Sequence, residues 1–96
     1  MLVLPIKKQW YNMILSGIKK EEYRDIKPYY IKRFEKIGLI GAEACSSVKV
    51  KFRNGYSATS PSFIAECSCR MGRGNPEWGA VPGVDYYILE IRAIET

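Results

Sequence analysis

With 96 residues the chain has room for one domain, spanning 1–96, and its 47% hydrophobic and 26% charged content argues against disorder. A net charge of +5, from 15 Lys and Arg against 10 Asp and Glu, favours polyanionic partners. No stretch approaches the roughly eighteen apolar residues of a membrane span, and Met1–Pro5 is too short for a signal-peptide core, so a cytoplasmic chain with no membrane contact is expected.

Leu2–Leu4 reads as an opening strand, and Pro5 suits the first position of a following helix, where its missing N–H costs nothing. Ile6, Trp10, Met13, Ile14 and Gly17 recur at steps of three and four, one apolar stripe with Lys7, Lys8, Gln9 and Asn12 outside it. Trp10 is weighed as a stacking platform for a base and as a core anchor, and its apolar neighbours favour the core. Gly17 is the expected left-handed stop of that helix. From Lys20 to Ile26 the chain should be extended, with Lys20, Glu22 and Arg24 on one face and Glu21, Tyr23 and Asp25 on the other. Lys19 has the wrong parity for Glu22, so a helix-to-strand corner is needed to bring Lys19, Glu22 and Arg24 together.

Pro28–Ile37 reads as a second helix stopped by Gly38, burying Tyr30, Ile31, Phe34 and Ile37. It leaves Lys27, Lys32, Arg33 and Lys36 as a basic face open to phosphate contact or to solvent alone. Leu39–Ala44 is expected to be irregular. Val48, Val50 and Phe52 then alternate with Lys49, Lys51 and Arg53, a half-buried strand whose three like charges repel unless an anion or an acidic neighbour compensates them. Asn54-Gly55 signals a type I′ hairpin with the return strand opening near Tyr56, while Ser57–Ser62, interrupted by Pro61, reads as a turn or an edge. Phe63–Met71 is a further strand, with Phe63, Ala65, Cys67 and Cys69 inward. Gly72, Gly74, Gly79 and Gly83 with Pro76 and Pro82 mark a long loop of defined shape, and Tyr86–Ile94 is a closing strand apolar on much of both faces. Three cysteines without C-x-x-C spacing, and no histidine, argue against a disulfide framework, a metal site or a metal cofactor.

The chemistry concentrates in Gly17-Ile18-Lys19-Lys20-Glu21-Glu22-Tyr23-Arg24, a G-x-K-x-x-E-x-R run at the helix-to-strand corner. It resembles the signature of ASCH domains, small members of the PUA-like superfamily, and Gly17, Lys19, Glu22 and Arg24 fill its four positions. The Gly72–Gly83 stretch looks like the loop before the last strand in short bacterial and phage-type ASCH proteins. The resemblance implies an α+β fold, a small PUA-like, partly closed β-barrel of five to six strands flanked by two or more helices. It also implies a cleft that binds RNA or a nucleoside or nucleotide. In that cleft Lys19 and Arg24 would meet anionic or carbonyl oxygens, Glu22 would accept from a base amino group, and Tyr23 or Trp78 would stack on the base.

A second class is open as well, because some ASCH proteins resemble minimal amidohydrolases of N4-acetylcytidine that use a lysine, a threonine and a glutamate. Lys19 matches the lysine and Glu77 is the loop counterpart of the glutamate, but Glu22 stands where the threonine would be. The catalytic candidates on that reading are Lys19, Glu22 and Glu77. Lys19 would need desolvation that so charged a run does not promise. Other family members resemble ribonucleases, for which the Tyr23 hydroxyl is a candidate. A protein partner docked on the basic faces is a third class, and the oligomeric state is open.

Overall fold

A computed structural model describes residues 1–95. Its elements are β1 (Leu2–Ile6), α1 (Lys8–Leu15), β2 (Glu21–Asp25), α2 (Pro28–Lys36), β3 (Val48–Asn54), β4 (Ser62–Arg73), a single 3-10 turn (Pro76–Trp78) and β5 (Asp85–Glu95). The strands form one curled sheet in the order β1-β3-β4-β5-β2, an α+β half-barrel of five strands with no sixth among the described residues. β1 runs parallel to β3, and every other neighbouring pair is antiparallel.

The alternating residues of β3 and β4 put Val50, Phe52, Phe63, Ala65 and Cys67 on the concave face, where Tyr11 and Ile14 of α1 and Phe34 of α2 cover them. Each large apolar side chain buried there contributes about 1.5–3 kcal/mol. The first half of β5, residues 86–89, lacks alternation because it is buried on both faces. Tyr87 and Leu89 join this core, while Tyr86 and Ile88 pack on the opposite side with Ala80 and the Tyr23 ring. The repulsion expected among Lys49, Lys51 and Arg53 is eased within the sheet, since Glu95 of β5 reaches Lys49 at 2.5 Å.

β1 and β2 are the two edges, and the sheet curls until they face each other across an open seam. Arg24 of β2 spans it, its Nη2 donating to the Pro5 carbonyl of β1 at 3.0 Å. Such bridging matters because an uncovered edge is a template for unwanted pairing. No helix among the described residues is long and apolar enough to cross a membrane.

Three expectations are corrected. Pro5 does not start a helix; it lies in β1, an edge strand, where a residue whose nitrogen faces away from the neighbouring strand breaks no ladder bond. α1 therefore begins later, and the residues it buries are Tyr11 and Ile14, which rotates Trp10 out of the core to the helix margin. Asn54-Gly55 does not make a two-residue hairpin. A type I′ turn needs positive φ at both central residues and only Gly55 has it, at 94°. The Gly55 N–H instead goes to the Ile6 carbonyl of β1, and the chain returns as β4 only at Ser62. Tyr56 is left in the intervening loop, 88% exposed beside the seam.

Candidate functional site

Local sequence sets the corner. α1 ends in a left-handed Gly17 at φ 83°, which lets the Lys19 N–H fold back to the Met13 carbonyl at 3.0 Å and turns the chain into β2. In β2, Glu22 lies opposite Leu89 and Arg24 opposite Tyr87, so both side chains share the concave face with those core residues. The corner then brings Lys19 onto the same face despite its parity. The Lys19 ammonium lies 3.2 Å from Glu22 Oε1, and Arg24 Nη2 lies 3.2 Å from Glu22 Oε2. Lys19, Glu22 and Arg24 thus form one chain of charge, as the motif requires.

Lys19 is 1% exposed, among the largest fully buried side chains of the molecule. Its Nζ donates to the Trp78 carbonyl at 2.6 Å and sits 4.9 Å from the ring centroids of both Trp10 and Tyr23. Of its three donors, one meets a carboxylate, one a carbonyl, and the last faces aromatic π-density. Burial pulls this ammonium below the ordinary lysine value, against the opposing pull of the Glu22 carboxylate. The desolvation that the charged run did not promise is therefore present, under a roof that Tyr23 of the run and Trp10 of α1 form together. The same roof closes Nζ off from solvent.

Above this chain of charge opens a cleft of about 470 Å³, within the range of small-molecule sites. Glu22 and Arg24 form its floor, Pro5 and Ile6 of β1 one wall, and Trp10, Tyr23 and Trp78 the aromatic flanks, with Lys7 and Lys8 at the rim. Glu22 keeps acceptor capacity, since its carboxylate offers about four lone-pair sites and the two cations occupy two. Arg24 makes both of its contacts through Nη2. Its Nε is buried with no acceptor among the described residues, a state that costs about 1–3 kcal/mol if left so.

Tyr23 serves the scaffold more than the cleft. Its hydroxyl donates to Glu21 Oε1 at 2.7 Å and accepts from the Asn75 N–H at 2.8 Å. Burial raises its pKa well above the usual phenol value, so a Tyr23 phenolate is not at hand for phosphodiester chemistry. The ring lies against Gly74, where an added Cβ would come within 2.5 Å of it. Trp78 lines the cleft, and its carbonyl holds Lys19. Glu77 does not join them. It is exposed, lies outside the cleft lining, and its backbone N–H is held by Asn75 Oδ1 at 2.9 Å.

Of the sequence candidates, the fold thus gathers Lys19, Glu22, Tyr23, Arg24 and Trp78 and leaves Glu77 apart. It adds Trp10, Lys7, Lys8 and Tyr56, which sequence reasoning had assigned to the core, to solvent and to a strand. The one available signal was the adjacency of Lys7-Lys8 to Trp10, a cation pair one helical turn from an aromatic. Compared with protein-family models, with curated proteins and with solved structures, the chain gives no match.

Proposed function

We propose that this chain is an ASCH-type, PUA-like module that binds RNA or a nucleotide through the cleft over Glu22 and Arg24. The observation that supports this reading is a carboxylate with spare acceptor sites, held rigidly between two cations, under aromatic walls and a basic rim. A nucleobase carries the complementary features: a flat face to stack on Trp10 or Trp78, an amino group to donate to Glu22, and a phosphate for Arg24, Lys7 or Lys8. Lys19 then acts as a positioning residue, orienting Glu22 and tying the Trp78 loop to the motif.

A second reading, hydrolysis of a modified nucleoside such as N4-acetylcytidine, is favoured by the lowered pKa of Lys19. It ranks below binding because Nζ is sealed beneath the aromatics, no threonine stands at the motif, and Glu77 faces solvent.

A proton NMR time course of N4-acetylcytidine, cytidine and short single-stranded RNAs with the protein separates the two. Broadening of base resonances without acetate, reduced about tenfold in affinity by Arg24→Ala, is the expected result. Acetate release that depends on Lys19 would replace binding with hydrolysis. An absence of broadening with every ligand would remove the nucleotide reading altogether.

A further inference from the structure

The cleft does not end at Arg24. A second hollow of about 300 Å³ continues along the same seam, walled by β1 from Leu2 to Pro5 on one side and by Lys27, Tyr29, Tyr30 and Arg33 on the other. Pro5, Arg24 and Tyr56 line both hollows, so the two meet at the Arg24 to Pro5 hydrogen bond. The seam between the sheet's two edges is thus one path with two chambers.

Its chemistry is consistent along its length. Among the described residues, the cations lining it are Lys7, Lys8, Arg24, Lys27 and Arg33, and the only lining carboxylate is Glu22, which two cations already hold. Arg33 has no carboxylate partner among the described residues. Its guanidinium lies 3.5 Å from the Tyr29 ring centroid, and its Nη1 donates to the Tyr29 carbonyl at 3.1 Å, which holds the two flat groups together at the far chamber. Lys27 sits 5.4 Å from the Tyr30 centroid and has only a loose, exposed contact with Asp25 at 3.9 Å. At the junction lies Arg24, whose buried Nε has no acceptor among the described residues. A basic groove that tracks a backbone, with an aromatic platform in each chamber, is the physical form of a single-strand nucleic-acid site.

We propose that the two hollows are consecutive nucleotide subsites of one single-stranded RNA path, with the bridging phosphate at Arg24 and the second base on the Tyr29–Arg33 pair. This rests on the nucleotide-binding reading above and narrows it, because the ligand class becomes an oligonucleotide rather than a free nucleoside. An added peptide strand fits the same seam poorly. Pro5 has no N–H to give it, and the Pro5 carbonyl is already taken by Arg24.

The test is a ¹H–¹⁵N NMR titration of the intact chain with each ribonucleoside 5′-monophosphate and then with dinucleotides of the same base. Monophosphates are expected to shift the indole N–H signals of Trp10 and Trp78. Dinucleotides should add shifts at Tyr29, Tyr30 and Arg33 and bind about fivefold or more tightly. Tyr29→Ala and Arg33→Ala, both at exposed side chains, should remove that gain while monophosphate binding persists. Arg33→Ala, which removes a base platform and no phosphate contact, should leave the slope of log affinity against log salt nearly unchanged, whereas Arg24→Ala should lower it by about 0.7. Dinucleotides that bind no more tightly than monophosphates, or a gain that survives both substitutions, would overturn the two-subsite path and leave the nucleotide reading in place. If no nucleotide shifts either tryptophan, the underlying reading fails and the path with it. A polyglutamate peptide that shifts both chambers where RNA does not would assign the seam to an acidic protein.

Discussion

Replacing Lys19 with methionine tests whether the buried ammonium holds the site together. Lys19→Met keeps the length of the side chain but leaves the Trp78 carbonyl without its donor and Glu22 with Arg24 as its one cation. Removing one partner of a buried pair costs about 3–5 kcal/mol. The retained Arg24 contact and the relief of burying an ammonium reduce this to about 2–4 kcal/mol. For a domain of this size that is a fall in Tm of about 10–25 °C. Urea melts followed by circular dichroism on the wild type, Lys19→Met, Glu22→Gln and the double variant would measure it. The double variant should be more stable than the sum of the single effects implies, by at least about 1.5 kcal/mol, because the second change removes a partner that the first had already orphaned. Strict additivity, or a Lys19→Met variant that melts with the wild type, would refute the coupling. The pH dependence adds a check of sign. Between its lowered folded pKa and the ordinary 10.5, the unfolded chain binds more protons at Lys19 than the folded one does. The Lys19 contribution to stability therefore rises with pH across that window, and the deficit of Lys19→Met should widen as pH climbs toward 10.5.

Two further outcomes follow from packing and burial. Gly74→Ala would place a Cβ 2.5 Å from the Tyr23 ring and 2.7 Å from the Ala80 Cβ, and should cost about 2 kcal/mol or more in a urea melt. Gly17→Ala, with open space around it but φ at 83°, should cost only about 1 kcal/mol, and a reversed order would contradict the packing argument. Native thiol labelling at pH 8 should modify exposed Cys45 quickly and half-buried Cys69, pushed up to about 11, slowly, while fully buried Cys67, pushed up to about 12 by burial, reacts only on unfolding. A Cys67 that labels as fast as Cys45 would mean that the sheet opens. Because Cys67 and Cys69 hold their protons longer when folded, the stability they add is present below about pH 9 and is lost as pH rises through 11 and 12.

Sequence and tertiary structure divided the protein along a physical line, that between local and distant contacts. The Gly17 stop, the extended run after it and the inward faces of β3 and β4 were legible, because backbone sterics and side-chain period act over a few residues. For the same reason the meeting of Lys19, Glu22 and Arg24 could be expected from one corner. The fate of Lys19 could not, since its burial comes from Trp78, 59 residues away in the chain, and from a Trp10 whose helix begins later than the Pro5 signal suggested. Pro5 and Asn54-Gly55 misled for a shared reason. Both carry strong local preferences, yet the parallel pairing of β1 with β3 uses Pro5 as an edge residue and takes the Gly55 N–H for Ile6. That pairing also leaves Tyr56 beside the seam, and the curl of the sheet sets β1 opposite β2. The motif's charges were thus written in the sequence, whereas the two-chambered groove they face exists only because distant edges of one sheet curl to within an arginine's reach.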